Sequence, residues 1–530
     1  MTVLSRAVVA VSLTWCRGVL SLGPIGHSDG TSLLQASVSS GDDNLSESQV
    51  IVEATVATEK ADAVELSQSS GDTMAKRPRR SRRRGSSLNA EGTTSGSKNV
   101  VQMLNYGDVQ YVTYLTMGKQ TITGIIDTGS FDLVIFSHVC GSCGLAGKYD
   151  PWQSSTYRTG KLMTVQSYGS GDTYSVEAAD FLGLASLEHK NQTFWEVISA
   201  KMPVLQNAAF QSIVGVGPPE TPAADAWEAA EEAYKNVSAF YKNSTKPPEA
   251  LLKSVKDSID AAVEVAKSPT MLENFDIQTF SMCLGKKPGS DGYITWKDTT
   301  HEELPHLFVR VPILGTHTWS VSLTNVRLNG GDHRGDTAVG CADGCSALMD
   351  SGTSLLAVPS SIVSTFEKAV QTLQTDCTNL HELPDLVFEL GGQKFYLPAD
   401  AYVAEVAGQV PKYLQSFVRL RHLKVGQGDN TTHDTETGQC HILLMESFAD
   451  SAHGPLWILG MPFFRRYYTS FHVGRNHDDR ALYMAHAGPD CKPVPAEQAE
   501  KGPWRRRIDP SKLHVPSSVV KAATRGFVNL

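Results

Sequence analysis

Ile125-Ile126-Asp127-Thr128-Gly129-Ser130 and, much later in the chain, Leu348-Met349-Asp350-Ser351-Gly352-Thr353-Ser354 are two copies of one pattern. Each runs two apolar residues, an aspartate, a hydroxyl residue, a glycine and a second hydroxyl residue. Each is answered downstream by two apolar residues and a glycine, Ile213-Val214-Gly215 for the first and Ile458-Leu459-Gly460 for the second. A lone Asp-Thr-Gly usually marks a turn. Two copies in apolar strand contexts, each with its downstream answer, form a specific signal. They imply two similar lobes, each giving one carboxylate to a shared site.

The residue types suit that chemistry. The apolar pair carries a strand into the core and leaves the aspartate on the loop at its end. Glycine permits a tight turn and lets its N–H approach the carboxylate. Ser130 and Thr353 are placed to donate hydrogen bonds to the outer carboxylate oxygens, and Thr128 and Ser351 to bond across a pseudo-twofold axis. Two carboxylates pressed together cannot both ionise, so they share one proton, the behaviour known for aspartic proteases as a class. The ionised member can serve as general base on a water and the protonated one can polarise a carbonyl. Asp127 and Asp350 are the candidate catalytic pair.

Composition sets the frame. The chain has 530 residues, 41% apolar, enough for two or three domains. Its net charge of -9 is uneven: residues 101–490 carry 28 basic and 43 acidic side chains, residues 491–530 carry 8 and 3. An acidic body argues against a nucleic-acid partner. Residues 1–20 read as a secretory signal, with Arg6 ahead of a short apolar run. No stretch is long and apolar enough for a membrane span. Of nine cysteines, Cys16 would leave with the signal. The close pairs Cys140/Cys143 and Cys341/Cys345 fit short disulfide loops in an oxidising compartment, or a zinc site.

Residues 21–100 are rich in small polar and charged residues and read as a disordered prosegment. The basic run 76–84 within it, KRPRRSRRR, reads as a site for a processing protease. From residue 99, short β-branched and aromatic runs alternate with Gly, Asp and Ser, an all-β texture. It is interrupted at 221–270, where Trp227, Ala230, Tyr234 and Val237, then Leu252, Val255, Ile259 and Val263, recur at helical spacing around Pro247-Pro248. That reads as a helical insertion in an N-terminal lobe of 101–285. A C-terminal lobe of 286–490 follows, then a loose C-terminal tail, 491–530. Asn191, Asn236, Asn243 and Asn430 head glycosylation triplets.

On these motifs, residues 107–488 resemble the pepsin family of eukaryotic aspartic proteases, plasmepsins and cathepsin D-like enzymes among them. The resemblance implies a bilobal β fold with a cleft, no cofactor or metal, and a monomeric endopeptidase made as a zymogen. Its catalytic loops would be supported by Thr128, Gly129, Ser130, Ser351, Gly352 and Thr353. It implies a flap at Tyr168-Gly169-Ser170-Gly171, with Tyr168 closing over a bound peptide and Asp180 twelve residues on. Ile125, Tyr168, Phe210 and Ile213 would line an apolar pocket, although Ile125, Phe210 and Ile213 read equally well as core. The family's disulfides map to Cys140–Cys143, Cys341–Cys345 and Cys377–Cys440, and the resemblance also implies a pairing of Cys283 with Cys491, since both fall near strands that family members bring together between the lobes.

This sequence departs from the family at Val134, where a tryptophan commonly bonds the flap tyrosine, and at Asp132, which is expected to face solvent. The expected function is acidic-pH hydrolysis of peptide bonds between apolar residues, in the secretory pathway, outside the cell or in an acidic vesicle. A maturase within a secretory organelle is a narrower version. The competing reading is an inactive binding or inhibitor protein on the same fold. Inactive relatives usually lose an aspartate, a motif glycine or the flap tyrosine, and all are present here.

Overall fold

Two strand pairs of opposite sense set the architecture. In the N-terminal lobe, Gln120–Asp127 pairs in parallel with Ser212–Gly215, which pairs antiparallel with Leu133–Phe136. In the C-terminal lobe, Cys345–Met349 pairs in parallel with Gly454–Leu459, which pairs antiparallel with Leu356–Pro359. The strands Leu133–Phe136, Ser212–Gly215, Cys345–Met349 and Leu356–Pro359 are buried at every position. They read as unbroken apolar runs because both faces are covered. The duplicated sequence is thus a duplicated structure, and it brings each motif aspartate to the end of a central strand.

The computed structural model describes residues 99–515, apart from 169, 243–245, 331–334, 416–417 and 422–437. Upstream it describes the strands Thr2–Val3, Leu20–Ser21, Ser32–Val38 and Val50–Ala54. The last three form an antiparallel sheet within residues 7–93, in a stretch read as disordered. The runs SLLQASV and VIVEA hold enough Leu, Val and Ile to pair. The signal core, the basic run 76–84, Gly169, Asn243 and Asn430 lie outside the described residues.

The two lobes share a floor of six antiparallel strands in the order Val100–Tyr106, Gly292–Trp296, Thr279–Cys283, Tyr467–His472, Ala481–Ala487, Val309–Pro312. Phe280 stacks on Phe471 with ring centroids 4.8 Å apart, and Trp319 packs edge-on against both. The Trp319 indole donates to the Val216 carbonyl at 2.9 Å, which stitches C-lobe to N-lobe. Each such fully buried ring is worth a few kcal/mol.

The insertion is two helices, α1 (Thr221–Lys242) and α2 (Glu249–Lys267), packed on each other. Ala230 and Val237 of α1 and Ala261 and Ala262 of α2 are buried, while Leu252 is 40% exposed. The apolar stripe of α2 is therefore turned away from Leu252. At the root of the hairpin, Arg480 grips Glu220 through two bonds of 2.8 and 3.0 Å, and Thr221 donates to the His317 carbonyl at 2.7 Å.

Four disulfides join Cys140 to Cys143, Cys283 to Cys491, Cys341 to Cys345 and Cys377 to Cys440. The segment after Cys491, read as loose, is docked as far as Val515. Arg466 donates to the carbonyls of Glu500 and Lys501. Arg506, buried, pairs with Asp108 at 3.1 Å and lies 3.8 Å from Asp400. Arg505 and Arg507 flank Glu405, and Arg507–Ile508 adds a parallel strand to Val403–Val406. The basic composition that suggested solvation instead serves ion pairs with the body.

Candidate active site

Asp127 and Asp350 are both completely buried. Around Asp127, the Gly129 N–H donates to Oδ1 at 3.0 Å and the Ser130 hydroxyl to Oδ2 at 2.6 Å. Around Asp350, the N–H groups of Gly352 and Thr353 donate to Oδ1 at 2.8 and 3.1 Å, and the Thr353 hydroxyl to Oδ2 at 2.9 Å. These donors fix the orientation of each carboxyl group.

Two hydroxyls lock the loops together. Thr128 Oγ1 accepts from the Ser351 N–H at 2.9 Å and donates to the Met349 carbonyl at 2.7 Å. Ser351 Oγ accepts from the Thr128 N–H at 3.1 Å and donates to the Ile126 carbonyl at 2.7 Å. All four bonds cross between lobes and are mutual, so the loops face each other in one arrangement.

The motif glycines show how close each loop comes to the opposite carboxylate. A Cβ on Gly129 would lie 2.3 Å from Asp350 Oδ2, and one on Gly352 would lie 2.4 Å from Asp127 Oδ1. Each glycine therefore sits against the other lobe's carboxylate, where no side chain fits. The downstream glycines work in the same way one layer deeper. A Cβ on Gly215 would meet the Asp132 nitrogen at 2.5 Å, and one on Gly460 the Leu355 and Thr353 carbonyls at 2.1 and 2.3 Å.

Over the N-lobe side stands a hairpin of Arg158–Tyr168 and Gly171–Leu184, with Tyr168 and Ser170 buried at its tip. Burial, with the carboxylates of Asp132 and Asp127 nearby, pushes the Tyr168 phenol well above its usual range. At the hairpin's base, Asp180 accepts from the Tyr149 hydroxyl at 2.6 Å and Ser154 Oγ at 2.8 Å. These bonds tie the segment 149–157 to the hairpin. Val134 is buried and pairs with Trp195 across parallel strands. The Trp195 indole donates to Asp132 at 3.0 Å. Asp132 is half-buried and engaged, contrary to the expectation that it faces solvent, because this indole offers it a donor.

Ile125, Tyr168, Phe210 and Ile213 belong to one apolar cluster with Val134 and Phe136. Of the four, Tyr168 and Phe210 also reach His514, with ring centroids 6.0 and 6.1 Å away. The sequence reading missed His514, Ser354, Gln110 and Trp195. Ser354 stood next to the motif and was readable; a histidine far past the last strand carried no signal.

Among the described residues no group of His, Cys, Asp or Glu is arranged to hold a metal ion. No described helix is long and apolar enough to cross a membrane.

Comparison with known proteins bears on the same residues. The family model for eukaryotic aspartyl protease matches residues 110–481. "Pepsin II-2/3" of Oryctolagus cuniculus is 25% identical over 387 residues, covering 71% of this chain and 81% of that protein. "Cathepsin E-B" of Xenopus laevis is 26% identical, over 71% of this chain and 79% of its own length. "Embryonic pepsinogen" of Gallus gallus is 28% identical, over 71% and 80%. The matched span begins one strand before the strand Gln120–Asp127 that carries the first motif and ends past the second glycine answer, so it contains both carboxylate loops. This chain belongs to the eukaryotic aspartyl protease family.

Proposed function

We propose that the protein is an aspartic endopeptidase in which Asp127 and Asp350 activate one water between them. The observation that carries the reading is the reciprocal fit of Gly129 against Asp350 and Gly352 against Asp127. In this reading the two carboxyls face each other across these glycines and share a proton. The ionised one takes a proton from the water as it attacks the scissile carbonyl. The protonated one hydrogen-bonds the carbonyl oxygen as it gains charge. The hydroxyl and amide donors around each carboxylate keep both fixed, so little reorganisation accompanies the reaction. Tyr168 closes the N-lobe side and excludes bulk water. The apolar wall of Ile125, Phe210 and Ile213 favours apolar side chains beside the scissile bond.

The same reading makes the chain a precursor, trimmed near the basic run 76–84 and acting as a monomer in a secretory or acidic compartment. Pepsinogen among its relatives and the four disulfides support this.

The test is hydrolysis of an unfolded protein at acidic pH, with and without a statine-type inhibitor. The inhibitor should abolish it, and Asp350→Asn should lower kcat/KM by roughly 10³-fold or more. Activity that survives Asp350→Asn refutes the mechanism. Inhibitor binding without any hydrolysis would leave a peptide-binding module on a protease fold.

A further inference from the structure

The cleft between the two carboxylate loops and the flap is occupied in this structure by the chain itself. After the strand Arg507–Ile508, the segment makes one turn at Pro510–Lys512, leaves it through an extended Leu513 and continues through His514 and Val515. Its backbone is held as a peptide would be. The His514 N–H donates to Ser354 Oγ at 3.0 Å, and the Ser354 N–H donates back to the His514 carbonyl at 3.4 Å. The Ser354 hydroxyl itself donates to the Val109 carbonyl at 2.7 Å, and the Gln110 amide donates to the Lys512 carbonyl at 2.8 Å. Ser354 directly follows Thr353, which holds Asp350.

The side chains alternate as in a strand. Leu513 and Val515 are fully buried in the C-lobe cluster with Leu348, Leu355 and Ile458. His514 turns to the N-lobe, between the flap Tyr168 and Phe210 and within electrostatic reach of Asp127. Its ring is 1% exposed, and neither ring nitrogen has a hydrogen-bond partner. A surface histidine pays no such desolvation; this one is held in place by its apolar neighbours and by the anchors at Arg505, Arg506 and Arg507.

We propose that the C-terminal segment Arg506 to Val515 is a built-in peptide ligand of the cleft that excludes substrate until it is displaced. The occupancy is geometric; its consequence for activity rests on the proteolytic reading above. Tethering makes the segment act at an effective concentration in the ~mM range, so modest intrinsic affinity suffices. Shortening the chain after Asp509 removes the cleft-bound residues and keeps Arg505, Arg506 and Ile508, which hold the segment's root to the body.

The experiment compares the full chain with one ending at Asp509 and with the double variant Leu513→Asp/Val515→Asp, all beginning at the same residue. Two readouts are taken: affinity for a fluorescent statine-type inhibitor, which needs no catalysis, and hydrolysis of an unfolded protein. Both altered chains should bind the inhibitor about tenfold tighter or better and hydrolyse substrate about tenfold faster below KM. A synthetic peptide of residues 506–515 at ~mM concentration should reverse this in the shortened chain, raising KM with kcat unchanged. Equal inhibitor affinity in all three chains, with no competition by the peptide, overturns the proposal. A gain in inhibitor affinity without hydrolysis by any chain would sink the protease reading and leave the cleft ligand standing. If no chain binds the inhibitor, anisotropy of the labelled 506–515 peptide on the shortened chain decides: binding supports the proposal and its absence overturns it.

Discussion

His514 gives the cleft a proton-sensitive element. Burial holds its imidazole below the ordinary 6.5, against the pull of the Asp127 carboxylate. Tyr168, the flap group against it, stays neutral because its phenol is pushed far up. Asp350 stands on the loop that ends at Ser354, and Lys512 on the segment itself. The seated segment therefore binds fewer protons at His514 than the released one. Seating is at full strength above pH 6.5 and weakens as pH falls below it. Hydrogen-exchange protection at residues 510–515 should fall on acidification below that point and stay level in His514→Phe, which keeps a ring without a titration. Parallel profiles for the two proteins would contradict this. At the same scale, Gly460→Ala would set a Cβ 2.1 Å from the Leu355 carbonyl and 2.3 Å from that of Thr353. Backbone on both sides cannot yield cheaply, so we expect a loss of about 3 kcal/mol in denaturant unfolding. The aspartates, hydroxyls and glycines of both motifs were legible because each answers one local steric or hydrogen-bonding demand. His514 was not legible, since its place depends on ion pairs formed by other residues.

Among elements, the α1–α2 hairpin is the most separable. Its helices pack on each other with Ala230, Val237, Ala261 and Ala262 buried, and the Glu220–Arg480 and Thr221–His317 contacts tie its root to the body. Replacing residues 223–268 by a short Gly/Ser linker, with Glu220 and Thr221 kept, should change the body's unfolding free energy by no more than about 0.5 kcal/mol. A larger drop would show that the hairpin braces the lobe. Periodicity placed both helices correctly, because a run of Ala, Glu and Lys breaks visibly from a β texture. The spacing of Leu252, Val255, Ile259 and Val263 did not show which side of α2 is most buried: Leu252 is exposed, while Ala261 and Ala262 are fully buried. Asp132 was misjudged for a related reason. Its partner Trp195 is distant in sequence and meets it only through the pairing of Leu133–Phe136 with the strand that carries Trp195.

For the whole molecule, the lobes are welded by the six-strand floor, the Trp319 bond and the Thr128–Ser351 exchange, and the C-terminal segment is riveted by Arg506. The bilobal plan was readable from the duplication, since repeated chemistry implies repeated structure. The docking of residues 491–515 was not, because a basic, proline-bearing composition looks the same whether its charges meet water or buried aspartates. Arg506→Met should cost about 3 kcal/mol by leaving Asp108 and Asp400 short of a partner, and should raise peptidase activity by loosening the segment. Chemical denaturation and the assay above read the two effects separately; a stable, unchanged enzyme would refute the anchoring role.

The exchange between Thr128 and Ser351 also bears on biosynthesis. These residues stand 223 positions apart, so a ribosome has released the whole first lobe long before the second loop exists. A nascent chain thus exposes one aspartate without its counterpart, and a product that stops before residue 350 lacks half of the carboxylate pair. The groove-filling residues 513–515 emerge later still, after both carboxylate loops.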